Sequence, residues 1–85
     1  MNPPLKTALM DIDHLMENRT GGITVKKLVI IKQIIVSKIE KMEAIGLPLP
    51  EYDCNTSEKH HLVDGNHTVT AYNDLGFKRI LVRLL

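Results

Sequence analysis

An α+β fold is predicted: a small mixed sheet with one long amphipathic helix, and a short helix that follows a strand through an Asp-Gly turn. Three observations carry this. Apolar residues recur at spacings of three and four between Val25 and Ile45, Asp64-Gly65-Asn66 breaks an apolar run just before a second helical pattern, and Arg79 to Leu84 alternates in polarity. The 85 residues are expected to form one domain over 1–85, because so short a chain cannot enclose a second core.

Thr7 to Ile12 mixes β-branched and aliphatic residues and is read as a first strand, with Asp13-His14-Leu15-Met16 as a turn or single helical turn. Asn18-Arg19-Thr20-Gly21-Gly22 is a breaker. In the long helix, Leu28, Ile31, Ile35, Ile39, Met42 and Ile45 share one side, and Lys26, Gln33, Ser37, Glu40 and Lys41 share the other. Thr24 is placed to cap its start, and Gly46-Leu47-Pro48 to stop it. Val29, Ile34 and Val36 widen the apolar arc beyond one core face. Strands on one flank and the N-terminal segment on the other would cover the excess; a homodimer contact would do the same.

Leu47 to Cys54 reads as an extended strand that Pro48 and Pro50 confine to a sheet edge, with Asn55 to Lys59 as a polar turn and His60-His61-Leu62-Val63 as the returning strand of a hairpin. His67 to Leu75 then forms the short helix, with Val69, Tyr72 and Leu75 inward and Gly76-Phe77 as its stop. The closing strand puts Ile80, Val82 and Leu84 on one face.

Composition narrows the function. The chain is 44% hydrophobic but has no Trp, one Phe and two Tyr, so its core is aliphatic. A net charge of +1 gives no global field for nucleic acid, and any DNA association is expected to be weak or indirect. Lys78, Arg79 and Arg83 with Lys26 and Lys27 are read as solvated positions, unaccompanied by a recognition-helix pattern. The single Cys54 excludes an intramolecular disulfide and a four-cysteine zinc site, which fits a reducing cytoplasm. The N-terminal Met1-Asn2-Pro3-Pro4-Leu5-Lys6 lacks a signal-peptide core, and no run reaches the ~18 apolar residues of a membrane span, so no membrane association is expected.

The turn Asp64-Gly65-Asn66-His67-Thr68 is the candidate site. A strand-to-helix junction leaves the first helical amides without intrahelical partners, and the helix dipole adds partial positive charge, a combination that favours an anion such as phosphate. The plainer reading is structural: Asp-Gly-Asn makes a good turn, and Asp or Asn caps a helix. His60, His61, His67 and Asp64 would suit a metal site, but adjacent strand residues face opposite ways, so surface histidines are the preferred reading and no transition-metal site is expected.

Leu62-Val63-Asp64-Gly65-Asn66-His67, then Ala71-Tyr72, Leu75-Gly76-Phe77 and Ile80-Leu81-Val82-Arg83, resemble the ParB/sulfiredoxin superfamily, where a strand ends in an acidic-Gly-x-His-Arg turn followed by a helix and a Leu-Gly before the last strand. The resemblance implies nucleotide-phosphate binding by Gly65 and the amides of Asn66, His67 and Thr68. It places His67 beside the phosphate as donor or cation, Asp64 as turn anchor or magnesium ligand, and Arg19 as an added phosphate ligand. A nucleoside triphosphate with Mg2+ is the implied cofactor. Two departures limit what carries over. Thr68 stands where the family has arginine, which removes a bidentate clamp, and Asn66 stands where the sulfiredoxin branch has its catalytic cysteine. Two expectations follow: a nucleotide- or phosphate-binding, DNA-associated regulator of plasmid or phage type, with His67 and Asp64 as candidate residues for weak phosphoryl transfer or phosphodiester hydrolysis; or a non-catalytic interaction or inhibitor protein that keeps the fold and dimerises, or binds a protein partner, through its apolar helix.

Overall fold

In the computed structural model, which describes residues 6–56 and 60–85, strand β1 (Thr7–Asp11) runs directly into helix α1 (Ile12–Glu17), and α2 (Val25–Glu40) follows the loop through Gly21 and Gly22. Then come β2 (Glu51–Tyr52), β3 (Leu62–Asp64), α3 (Asn66–Asp74) and β4 (Arg79–Leu84). The strands form one mixed sheet in the order β1-β4-β2-β3. β4 lies antiparallel to β1, with Leu9 opposite Leu81, and parallel to β2; β2 and β3 pair antiparallel. The architecture is α+β with a small mixed sheet, as the sequence predicts.

One face of the sheet makes the core. Ile80, Val82, Tyr52 and Leu62 are buried there against Ile12 and Leu15 of α1 and Val69 of α3, with Met10, Met16, Tyr72 and Leu84 packed around them. The opposite face carries Thr7, Leu9, Asp11, Arg79, Leu81 and Arg83, all exposed. The alternation read from Ile80, Val82 and Leu84 is therefore the one adopted. Burying an aliphatic side chain is worth roughly 1.5–3 kcal/mol, so the layer of sheet, α1 and α3 dominates stability. α2 buries only Ile35 completely.

The long helix departs from expectation in length and in cover. It ends at Glu40 rather than Ile45, because a Schellman turn closes it: the Met42 amide donates to Ile39 O at 3.0 Å and the Glu43 amide to Lys38 O at 2.9 Å. Met42 takes the left-handed position at φ 58 that Gly46 was expected to fill, and a Lys38–Glu43 ion pair of 3.0 Å spans the turn. Gly46 (φ 74) bends the following loop instead. α2 packs mainly on α3 rather than on the strands. Val25, Val29, Ile30, Val36 and Ile39 stay exposed.

β2 is also a correction: it shrinks to two residues, and it lies inside the sheet between β4 and β3 rather than at an edge. Pro48 and Pro50 precede the paired residues, so neither removes a needed ladder donor, and Pro50 O accepts the Arg83 amide at 2.8 Å. The hairpin expected between Cys54 and His60 forms between β2 and β3; residues 57–59 of its turn lie outside the described residues, as does the 1–5 segment. The returning strand is Leu62–Asp64, shorter than expected, although the His61 carbonyl already accepts the Asp53 amide at 2.8 Å. No described helix is long and apolar enough to cross a membrane.

Candidate functional site

The Asp64–Thr68 junction sits where β3 hands over to α3. Asp64 ends the strand, Gly65 is the N-cap at φ 91, and Asn66 begins the helix. That φ belongs to the left-handed region open to glycine, and space excludes other residues as well: a Cβ on Gly65 would lie 2.7 Å from Pro50 Cα. Asp64 Oδ1 accepts the Gly65 amide at 2.9 Å, and Gly65 O accepts the Val69 amide at 2.9 Å to close the first turn. With a glycine N-cap there is no capping side chain. Among the described residues, the amides of Asn66, His67 and Thr68 find no protein acceptor.

These residues border a cleft of about 180 Å³ lined by Asp64, Gly65, Asn66, His67 and Thr68 together with Lys27, Ile31, Pro48 and Leu49. Docking of α2 against α3 brings Lys27 here. The cleft thus joins a positive helix end and an ammonium to an apolar wall of Ile31, Pro48 and Leu49. Asp64 is its one carboxylate. A magnesium ion would have to be held by Asp64 and by oxygens of the ligand itself.

The motif side chains are used to hold a loop. Thr20 N–H donates to Asn66 Oδ1 at 3.2 Å, and Asn66 Nδ2 donates to Thr20 Oγ1 at 3.4 Å. Thr24 N–H donates to His67 Nε2 at 2.9 Å. An amide can only donate, so the imidazole accepts at Nε2 and its hydrogen lies on Nδ1. Asn66 and His67 thereby tie the 18–24 loop, and with it the start of α2, to the head of α3. In this geometry His67 Nε2 is occupied by the Thr24 amide.

Arg19 is placed elsewhere than the resemblance implies. Its Nη1 donates to Thr70 Oγ1 at 3.0 Å, and the Thr70 hydroxyl donates to Asn66 O at 2.8 Å. Thr70 lies one helical turn beyond Asn66, and Arg19 does not line the cleft. With its backbone bridged to Leu62 and its Nε buried without a partner, Arg19 is a strut between β3 and α3.

The remaining histidines separate. His61 Nδ1 donates to Asp53 O at 2.8 Å and its ring stacks on Tyr52 at 5.4 Å, while the Tyr52 hydroxyl is 2.9 Å from His14 Nε2. Burial first, and then Cys54, raise the Tyr52 pKa above the usual phenol value. No group of three His, Cys, Asp or Glu side chains able to hold a metal occurs among the described residues. The basic residues are also divided: Arg79 pairs with Asp11 at 2.9 Å and Arg83 with Glu51 at 3.6 Å on the sheet, away from Lys26 and Lys27 on α2.

Lys27 is the site residue that motif reading missed. It lies far from the turn in sequence, and only the α2–α3 packing brings it to the cleft. No family model, no curated protein and no solved structure matches the chain.

Proposed function

We propose that this chain is a phosphate-binding module whose ligand, of nucleotide class, seats its phosphate on the amides of Asn66, His67 and Thr68 and against Lys27. The observation that carries the reading is the shared cleft: three residues whose amides are unpaired at a helix N-terminus, a lysine of the facing helix and an apolar wall all line it. The ParB/sulfiredoxin-like order of strand, glycine turn and helix supports the same assignment, with magnesium accompanying a di- or triphosphate at Asp64.

Binding without turnover fits the side chains better than catalysis. His67 would have to release Thr24 before its Nε2 could take a proton. Thermal shift with ATP, CTP, GTP and their diphosphates, with and without magnesium, tests the reading. A stabilising nucleotide whose effect is lost in Lys27→Glu supports it; no shift for any nucleotide at millimolar concentration refutes it.

A second reading draws on α2. Val25, Val29, Val36 and Ile39 lie at spacings of four, seven and three and make an exposed apolar stripe on a helix that buries little else, interrupted by the half-buried Lys32, which pairs with Asp74 of α3 at 2.6 Å. Such a stripe fits the apolar face of a protein partner, and a regulator or inhibitor would use it without any ligand. Loss of partner binding in Val36→Glu with unchanged nucleotide response separates the two.

A further inference from the structure

The sheet has two edges, and they differ. At β3 the edge is covered: Arg19 bridges to Leu62, and the Leu62 amide donates to Asn18 O at 3.0 Å. At β1 nothing among the described residues pairs with the outer side.

The ladder fixes which groups are left over. Leu84 N–H donates to Lys6 O and Ile12 N–H to Lys78 O, each at 2.9 Å, so the even-numbered residues of β1 bond inward to β4. The amides and carbonyls of Thr7 and Leu9, and the amide of Asp11, point outward, while the Asp11 carbonyl serves the first turn of α1 as its N-cap. Edge strands are ordinarily blocked by proline, a bulge or a central charge; Ala8-Leu9-Met10 has none of these. Leu9, at the centre of the strand, is 64% exposed, and its neighbour Leu81 is 44% exposed.

We propose that β1 is a homodimerisation edge, on which two copies pair antiparallel about a two-fold axis at Leu9 to make one continuous eight-stranded sheet. The strand is self-complementary in that register. Leu9 exchanges both of its main-chain bonds with Leu9 of the second copy, and Thr7 O accepts the second copy's Asp11 amide. On the outer face Leu81 and Leu9 of each copy join into a row of four leucines. Charge favours the same orientation: Lys6 stands at the start of the strand and Asp13 just beyond its end, both exposed, so antiparallel pairing brings opposite charges to each end of the seam, while Asp11 stays paired with Arg79. A parallel pairing would set like beside like. The inference is independent of the anion cleft, which lies on α3.

Sedimentation of the full chain up to millimolar concentration, with amide hydrogen exchange at high and low concentration, tests it. The expected result is a dimer in which Leu9 and Asp11 amides are protected only at high concentration, while Ala8 and Met10 are protected at both. Leu9→Pro removes an outward amide and leaves the inner ladder intact; Leu9→Lys sets two ammonium groups at the axis. Both are expected to be monomeric with an unchanged circular dichroism spectrum, and Leu9→Lys decides alone if the proline variant does not fold. A wild type that remains monomeric at millimolar concentration overturns the proposal. So does a dimer that survives Leu9→Lys, or one that Val36→Glu dissociates instead.

Discussion

Gly65 and Pro50 are in van der Waals contact, so the bend that opens the α3 N-terminus is held against the segment entering β2. Gly65→Ala meets two penalties there: the left-handed φ of 91, and a Cβ 2.7 Å from Pro50 Cα. Gly76 has φ 87 but open space around it, so Gly76→Ala meets only the first. The expected losses are about 2–5 kcal/mol at Gly65 and about 1–2 kcal/mol at Gly76, read from denaturant midpoints. Equal losses would show that the Pro50 contact is not a constraint.

Asn66 and His67 are expected to act as loop clamps. His67→Ala should cost about 0.5–1.5 kcal/mol and speed hydrogen exchange at the Thr24 amide, while Asn66→Ala does the same at Thr20. Exchange at these amides unchanged in the variants would remove the clamp role.

Much of this was legible in the chain, and the reasons differ by element. The stop of α3 was readable because its parts are local: Gly76 takes the left-handed position, the Phe77 amide donates to Tyr72 O, and the two rings meet edge to face at 4.9 Å. The stop of α2 was not, because Met42 does at an unexpected position what a glycine usually does, with the Lys38–Glu43 ion pair in place of an apolar contact. The glycine turn at residue 65 was legible for the same local reason as the α3 stop. The fates of Arg19, Asn66, His67 and Lys27 were not, since each depends on how the 18–24 loop and α2 dock on α3.

Met42 offers a gain. Met42→Gly relieves the left-handed backbone at an exposed position and is expected to raise stability by about 1 kcal/mol, checked by thermal melting. A loss would mean that the Met42 side chain contributes to the turn.

Alkaline pH should weaken the fold. Burial raises the pKa of Tyr52 and of Tyr72 above 10.0, so the folded state holds the neutral phenols more firmly than the unfolded chain does. Their contribution is complete below about pH 10, where the unfolded chain titrates, and falls as pH rises through the higher folded values. In the double variant Tyr52→Phe, Tyr72→Phe the stability profile above pH 10 should be flatter than in the wild type; identical slopes would contradict this.

The central claim is that the free amides at the head of α3 and Lys27 together receive an anion, and amide-resolved NMR during titration with inorganic phosphate tests it most directly. The account expects the Asn66, His67 and Thr68 amides to shift together and saturably, with the shifts abolished in Lys27→Glu and the rest of the spectrum preserved. Shifts that are absent, or that spread over the surface without including those three amides, would contradict it.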